Sequence, residues 1–170
     1  KFLIKFTDAA IVTSEFMKEE ISKYHLKNDK IFLIRNPISI EETRKSITPV
    51  RLGADNLTLI FVGRLVYQKG IDRILHLLAI NKDIELIIVG EGNFKSKLMK
   101  KIKYLNIESK IKFLGKILKP YDLVAGSDYF ILPSRWEGLP NCVLESLALG
   151  TPVISTKQIY SLNDFKKNIS

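Results

Sequence analysis

Residues 129–145 read Tyr-Phe-Ile-Leu-Pro-Ser-Arg-Trp-Glu-Gly-Leu-Pro-Asn-Cys-Val-Leu-Glu. The short apolar run Tyr129–Leu132 predicts a buried strand, and Pro133–Pro140, with its prolines and glycine, predicts a loop. Asn141–Leu149 predicts a helix, with a core-facing side formed by Val143, Leu144, Leu147 and Ala148. In open α/β sheets ligands bind outside the carboxyl ends of the strands. The stretch therefore predicts that Glu137 lies in a ligand crevice.

The alternation of strands and helices extends along the chain. Five apolar runs predict strands, namely Leu57–Val62, Ile84–Val89, Ile111–Leu114, Tyr129–Leu132 and Pro152–Ser155. The intervening helices are predicted at Ile71–Ile80, Phe94–Leu105, Pro120–Ala125 and Asn141–Leu149. Nearly continuous hydrophobicity in the strands indicates burial on both faces, so the fold class is α/β, a Rossmann-like parallel sheet with helices on both faces. Upstream, Glu15–Tyr24 predicts a helix, Ile31–Ile34 an extra strand and Ser39–Asn56 a polar surface connection.

Two cationic residues follow the strand Leu57–Val62. Gly63 permits close approach of a ligand to the backbone, Arg64 offers a planar multi-donor fork, and Lys69 precedes the predicted helix at Ile71. Two cations and a helix start at one sheet edge are suited to a diphosphate. The alternative is that both are solvated surface residues, which is usual for a single Lys or Arg. Their joint placement after a Val-Gly turn favours the phosphate role.

Several further motifs occur in a fixed order. They are Val62-Gly-Arg-Leu65, Lys69-Gly70, Val89-Gly-Glu-Gly92, Phe113-Leu-Gly115, Ser127-Asp-Tyr-Phe-Ile-Leu-Pro-Ser134, Glu137 with Glu145 eight residues later, and Ala148-Leu-Gly-Thr-Pro-Val-Ile154. The ordered set resembles the donor-binding domain of the retaining glycosyltransferases of family 4, which have the two-domain GT-B fold. Asp8-Ala-Ala-Ile-Val-Thr-Ser14 and Ile34-Arg-Asn-Pro37 resemble the segment where such enzymes cross between their domains. The resemblance covers residues 8–156.

The resemblance implies roles for three residues of the reaction centre. Arg64 and Lys69 would hold the diphosphate of a nucleotide-sugar donor and stabilise the charge that develops as it leaves. Glu137 would contact the hydroxyls of the donor sugar. The alternative for Glu137 is a surface ion pair with Arg135, which would imply nothing about function.

The resemblance also implies a set of substrate-binding residues. Glu145 would accept hydrogen bonds from the ribose hydroxyls. Backbone N–H groups between Gly138 and Asn141 would reach the sugar or phosphate, except at Pro140, which has none. The loop that reads the base would be Gly115-Lys116-Ile117, where Ile117 either packs on the base or belongs to the core. The full set is Gly63, Gly115, Lys116, Ile117, Gly138, Leu139, Pro140, Asn141 and Glu145.

The function implied by the resemblance is the donor half of a retaining hexosyltransferase. It would use a nucleotide-sugar, in the first place a UDP-sugar, to extend a glycan or a lipid-linked acceptor in surface polysaccharide or lipopolysaccharide synthesis. Neither a metal nor another cofactor would be needed. Two alternatives remain, a non-catalytic nucleotide-sugar-binding or interaction module and a GT-B-fold sugar-nucleotide epimerase. The spacing of Glu137 and Glu145 favours a transferase over an epimerase.

The same resemblance predicts the domain organisation. Residues 1–170 are expected to form a single donor nucleotide-sugar-binding domain, with an irregular tail over 157–170. The N-terminal acceptor-binding domain is expected to be absent, so that this chain alone would not transfer sugar.

Composition restricts the partners and the location. The formal net charge is +9, but the lysines are dispersed over several predicted helices, which argues against a nucleic-acid partner. Two explanations of the charge remain, a lysine-rich composition alone and attraction to an anionic membrane surface. The protein is expected in the cytoplasm, and the resemblance implies peripheral attachment to the inner face of the membrane as a hypothesis, because similar enzymes act there on lipid-linked acceptors. No apolar run reaches the roughly 20 residues of a membrane-spanning helix. The segment Gly90-Glu-Gly92 is not a dinucleotide fingerprint, because Lys95 stands where a third glycine is needed.

Overall fold

The computed structural model describes residues 7–24, 28–53, 55–157 and 159. The chain divides into two units. The small unit comprises the described residues within Lys1–Pro37, Trp136–Asn141 and Lys157–Ser170, and the sheet unit comprises those within Ile38–Arg135 and Cys142–Thr156. Apart from Lys157 and Ile159, the tail predicted over 157–170 lies outside the described residues.

The small unit contains a two-stranded parallel sheet and one helix. Strand β1 (Ala10–Val12) pairs with β2 (Ile31–Leu33), and helix α1 (Glu15–Ser22) packs on them. The helix begins after Ser14, whose Oγ accepts a hydrogen bond from the Met17 N–H at 3.2 Å and so caps the first turn. The predicted helix and extra strand in this region are confirmed, with slightly earlier ends. The core consists of Val12 and Ile31, with Ala10, Met17, Ile21 and Leu33 packed against them.

The sheet unit is built on five parallel strands. These are β3 (Leu57–Val62), β4 (Ile84–Val89), β5 (Ile111–Gly115), β6 (Tyr129–Leu132) and β7 (Val153–Ser155), in the spatial order β5-β4-β3-β6-β7. The helices are α2 (Ile40–Arg44), α3 (Leu75–Ile80), α4 (Lys95–Tyr104), α5 (Tyr121–Ala125) and α6 (Asn141–Ala148). The predicted α/β class with a helix-flanked parallel sheet is confirmed.

The core of this unit lies in the central strands. Ile60 and Phe61 of β3 are both fully buried although consecutive strand residues point to opposite faces, and the same holds for Leu86–Val89 of β4. Both sheet faces are therefore covered, as the continuous apolar runs predict. Each such side chain contributes roughly 1.5–3 kcal/mol by its burial.

The sheet order creates a switch point beside β3. The chain proceeds from β3 to β4 and β5 on one side, and then returns to β6 and β7 on the other. Ligand crevices of open α/β sheets form at such reversals, at the carboxyl ends of the strands. A ligand site is therefore expected at the loops after β3 and β6.

Three predictions about local structure are wrong in part. The predicted helix Ile71–Ile80 starts as a 3-10 turn, Ile71–Arg73, and becomes α-helical only at Leu75. The cause is Gly70, which has a left-handed backbone (φ 66°) and packs so closely on the Pro133 carbonyl that the chain enters the helix through a tight turn.

The other two departures concern helix faces and connections. In α6 the side chain of Leu147 is 48% exposed, and the buried positions are Val143, Ser146 and Ala148. Ser146 tolerates burial because its Oγ donates to the Thr151 carbonyl at 2.9 Å. The predicted surface connection Ser39–Asn56 contains the short helix α2, which Ser39 caps by accepting from the Glu42 N–H at 3.2 Å.

Candidate functional site

A cleft of about 350 Å³ opens at the carboxyl ends of β3, β4 and β5. Its lining residues are Val62, Gly63, Arg64, Val89, Gly90, Glu91, Lys116 and Ile117. Four of the predicted site residues, Gly63, Arg64, Lys116 and Ile117, thus lie in one cleft, and Gly115 ends the strand just before it. The cleft joins the loop predicted to bind phosphate to the loop predicted to read the base.

Backbone contacts between neighbouring loops hold this cleft. The Gly63 N–H donates to the Val89 carbonyl at 3.0 Å, the Leu65 N–H to Glu91 at 2.9 Å, and the Gly90 N–H to Gly115 at 2.7 Å. A Cβ at position 90 would lie only 1.9 Å from the Gly63 carbonyl oxygen. The glycines of Gly90-Glu-Gly92 therefore serve close packing of protein loops, a role that the sequence analysis did not identify.

Lys69 lies beside the cleft residue Gly63. It ends the 3-10 turn Tyr67–Lys69, and its Cε is 3.6 Å from the position that a Cβ on Gly63 would occupy. The lysine side chain therefore passes over the Gly63 backbone at the carboxyl edge of β3. Lys69 is half-buried and Arg64 is exposed. The structure brings the two cations to the same strand end, and their contact with a phosphate stays a prediction.

Glu145 is a half-buried carboxylate on α6. Burial raises its pKa above the ordinary value of 4.5. Within the part of the chain that the structure describes, neither a hydrogen bond nor an ion pair reaches its carboxylate oxygens. A desolvated acid without an internal partner is typical of a ligand site, because a ligand can restore the lost hydrogen bonds.

The charge of Glu145 acts on Tyr121, a residue that the sequence did not single out. Burial is the largest cause that raises the pKa of the Tyr121 phenol, and the negative charges of Glu145 and Glu42 raise this pKa further. The phenol therefore keeps its proton and can donate a hydrogen bond. Nothing in the local sequence signals this interaction, because Tyr121, Glu145 and Glu42 lie on three different helices of the sheet unit.

The predicted sugar-binding residues lie in the small unit. Glu137 is half-buried, and Leu139 and Pro140 are buried. The Asn36 side-chain amide donates to Asn141 Oδ1 at 2.6 Å and to the Leu139 carbonyl at 3.4 Å, so it holds the loop 138–141. The motif Ile34-Arg-Asn-Pro37 contains Asn36, but no role was predicted for this residue from the sequence. The joining of Glu137 to Arg64, Lys69 and Glu145 in one site stays a prediction.

Arg135 has a partner that the sequence analysis did not foresee. Its guanidinium donates to both carboxylate oxygens of Asp72, at 2.9 and 2.7 Å, and lies 3.8 Å from the centroid of the Tyr67 ring. The hydrogen bonds from Arg135 hold the pKa of Asp72 below its ordinary value. Arg135 thus forms an ion pair with Asp72.

The model of the family described as glycosyl transferases group 1 matches residues 42–168. The chain belongs to the group 1 glycosyl transferases. It is 33% identical over 168 residues to an uncharacterized glycosyltransferase of Methanocaldococcus jannaschii, covering 92% of this chain and 41% of that protein. It is 31% identical over 144 residues to a Campylobacter jejuni enzyme, N-acetylgalactosamine-N,N'-diacetylbacillosaminyl-diphospho-undecaprenol 4-alpha-N-acetylgalactosaminyltransferase, covering 82% of this chain and 38% of that one.

Solved GT-B glycosyltransferases share the fold of this group 1 member. The lipopolysaccharide outer core galactosyltransferase WaaB, in its apo form, has a TM-score of 0.77 at 26% identity, covering 94% of this chain and 46% of that one. Anabaena HepE in complex with UDP-glucose has a TM-score of 0.79 at 21% identity, covering 95% and 48%. The chain spans about two fifths of the length of the curated relatives it matches.

The described residues of this group 1 member also bear on metal binding and on membrane insertion. Over residues 7–24, 28–53, 55–157 and 159, no group of three or more His, Cys, Asp or Glu side chains is placed to hold a metal ion. None of the helices in these ranges has both the length and the apolar character needed to cross a membrane.

Proposed function

We propose that the chain is the donor-binding half of a retaining glycosyltransferase of family 4, and that it binds a UDP-sugar. The observation that carries the proposal is the cleft at the ends of β3, β4 and β5, where Arg64 and Lys116 lie together and Lys69 packs beside Gly63. Membership of the group 1 family supports it. HepE, which has the same fold, was solved with UDP-glucose.

In this proposal the diphosphate of the donor binds between Arg64 and Lys69. When the bond from the sugar to the diphosphate breaks, negative charge grows on the leaving oxygen, and preorganised cations stabilise that charge. The two side chains take the place that a divalent cation has in other phosphate sites, so no metal is needed. Arg64 is exposed and supplies a fork of donors, whereas the half-buried Lys69 supplies a point charge.

The nucleoside is held by the other predicted residues. Glu145 accepts hydrogen bonds from the two ribose hydroxyls, which provide the partners that its half-buried carboxylate lacks among the described residues. The Gly115-Lys116-Ile117 loop contacts the base through its main chain, and Ile117, a residue of the cleft, packs on the face of the base.

The sugar is oriented by Glu137 and by N–H groups from Gly138, Leu139 and Asn141. Pro140 cannot donate. The acceptor hydroxyl attacks the sugar on the face from which the diphosphate departs, so the configuration is retained. The new carbon–oxygen bond forms as the bond to the diphosphate breaks, and the proton of the acceptor passes to the leaving phosphate. No protein nucleophile takes part.

The whole protein is proposed to transfer a hexose to a glycan or lipid-linked acceptor in surface polysaccharide or lipopolysaccharide synthesis. Among the relatives are a lipopolysaccharide 1,6-galactosyltransferase of Escherichia coli and an enzyme named for a diphospho-undecaprenol acceptor. The acceptor site belongs to a further domain, so this chain alone binds the donor without transferring sugar. A lipid-linked acceptor would place the protein at the cytoplasmic face of the membrane.

Calorimetric titration of the 170-residue chain with UDP tests the proposal. We expect weak, measurable binding, because half of the cleft belongs to the other domain, and we expect Lys69→Ala to remove most of it. Lys82→Ala is the matched control, since Lys82 is an exposed lysine two residues before β4, at the opposite edge of the sheet. The absence of heat with UDP, GDP or ADP derivatives at millimolar concentration, from a folded sample, would overturn the donor-binding function.

A further inference from the structure

The loops that follow β3 and β6 are bound to each other by a dense set of contacts within the sheet unit. The Arg135 guanidinium donates two hydrogen bonds to the Asp72 carboxylate and one to the Tyr67 carbonyl, the last at 2.7 Å. It also stacks on the Tyr67 ring. The Arg135 N–H donates to the Gln68 carbonyl at 2.8 Å. We call Arg135, Asp72 and Tyr67 the Arg135 clamp.

Other contacts strengthen the same junction. Arg73 Nη1 lies 3.3 Å from the Pro133 carbonyl oxygen and 3.4 Å from that of Ser134. A Cβ at Gly70 would lie 2.2 Å from the Pro133 carbonyl oxygen, so the two backbones are in direct contact there. The Thr156 hydroxyl donates to the Ser134 carbonyl at 2.7 Å, which fixes the loop after β6 from its other side.

Lys69 lies inside the clamped segment. The clamp engages Tyr67 and Gln68 before Lys69, and Asp72 after it, while the Lys69 N–H donates to Val66 at 3.0 Å and closes the turn. The backbone from which the lysine projects is therefore held on both sides. A flexible four-carbon side chain binds a phosphate best when its backbone is fixed, since less entropy is lost on binding.

The clamp itself is not free to bind a phosphate. Three hydrogen bonds from the Arg135 guanidinium go to Asp72 and Tyr67, and the side chains of Arg135 and Asp72 are only 19% and 21% exposed. The carboxylate of Asp72 also compensates the positive charge, so the pair has little attraction left for an anion. The role of Arg135 must therefore be exerted through the residues that it holds.

We propose that Arg135 is a positioning residue for the diphosphate site. It fixes the turn that carries Lys69 against the loop after β6, and it thereby raises the affinity for the diphosphate without touching the ligand. The inference rests on the proposed phosphate role of Lys69.

The molecule contains a matched pair for comparison. Arg51 donates to both oxygens of Asp128, at 2.9 and 3.0 Å, in the same two-pronged geometry. Asp128 immediately precedes β6, so this second pair lies at the amino edge of the sheet, away from the cleft. Loss of Arg51 should lower stability as loss of an ion pair does, and should leave diphosphate affinity unchanged.

The test is a set of titrations with UDP and with uridine, which lacks the diphosphate. We expect Arg135→Ala and Asp72→Asn each to lower UDP affinity about tenfold and to leave uridine affinity unchanged. In the Lys69→Ala background, Arg135→Ala should cause no further loss, because the residue that it positions is gone. Arg51→Ala should keep UDP affinity within about twofold of wild type. Urea unfolding of each variant measures the accompanying loss of stability.

Each result decides between positioning and a merely structural role. Equal losses of UDP and uridine affinity, additive losses in the Lys69→Ala background, or a tenfold loss in Arg51→Ala would overturn the inference. If Arg135→Ala does not fold, Asp72→Asn, which keeps the shape of the side chain, provides the same comparison. If the wild-type chain does not bind UDP, the proposed function is wrong. If Lys69→Ala binds UDP normally, the phosphate role of Lys69 is wrong. In either case the inference about Arg135 is wrong as well.

Discussion

The half-buried carboxylate of Glu145 should destabilise the unliganded protein at neutral pH. Its pKa in the folded chain is raised by burial, so the native state binds more protons than the unfolded state between the two pKa values. Stability therefore falls as the pH rises above about 4.5, and the loss persists at pH 7. We expect Glu145→Gln to raise the free energy of unfolding at pH 7 and to abolish its own part of the pH dependence, as measured by urea unfolding.

Glu108→Gln is the control for this prediction, because Glu108 is an exposed carboxylate at the start of a short 3-10 turn. Its replacement should change stability by less than about 0.5 kcal/mol. A destabilised Glu145→Gln variant would show that the carboxylate has a structural partner in the protein, contrary to its assignment as a ligand-binding group.

Replacement of Glu145 and replacement of Glu137 should have different effects on ligand binding and turnover. If Glu145 binds ribose, Glu145→Ala should weaken UDP and UDP-sugar binding alike, by roughly 1.5–3 kcal/mol for lost charge-assisted hydrogen bonds. If Glu137 binds the sugar, Glu137→Ala should leave free UDP binding unchanged. In an enzyme with both domains, it should lower turnover more than donor affinity. Equal losses of UDP affinity in the two variants, or full turnover without Glu137, would contradict this division.

At the scale of elements, the packing of the loops after β3 and β4 depends on Gly90. Its backbone has a positive φ of 142°, and a Cβ there would collide with the Gly63 carbonyl. We expect Gly90→Ala to lower stability by about 1–3 kcal/mol and to weaken UDP binding, because Gly63 and Arg64 must shift. Denaturant unfolding and calorimetry measure the two effects.

Gly150 provides the comparison for Gly90. It also has a positive φ, of 85°, but no atom lies within 4 Å of the position of its Cβ. Gly150→Ala should therefore show only the cost of the backbone conformation, about 1 kcal/mol, and should leave UDP affinity unchanged. If both glycines behave alike, the loop contact at Gly90 has no role in shaping the cleft.

At the scale of the whole molecule, the proposal that the side chains of Arg64 and Lys69 take the place of a metal ion predicts that UDP binding is independent of metal. UDP affinity of the chain should be the same in excess EDTA as in millimolar Mg²⁺ or Mn²⁺, and Lys69→Ala should weaken it under both conditions. Calorimetry with matched buffers measures this directly. Binding that disappears in EDTA and returns with a divalent cation would show that Arg64 and Lys69 do not hold the diphosphate alone.

The strands were predicted well because their signal is local. Leu57–Val62, Ile84–Val89 and Tyr129–Leu132 have the predicted bounds, since burial on both faces leaves a continuous apolar run that turn residues interrupt. The first turn after Gly70 was not predictable in this way. It depends on the Pro133 carbonyl, which lies more than sixty positions later in the chain, and on Arg135, which is 63 positions from Asp72.

The sequence by itself determined the α/β class and the strands of the sheet unit, because strands buried on both faces leave continuous apolar runs. The motifs that carry the family resemblance pointed to Gly63, Arg64, Lys116 and Ile117, which the structure places in one cleft. Only the tertiary structure decided that Asp72 pairs with Arg135, that Asn36 holds the loop 138–141, and that the charge of Glu145 acts on the Tyr121 phenol. These contacts join residues far apart in the chain. Their existence depends on how elements pack, and no local pattern of residue types encodes that packing.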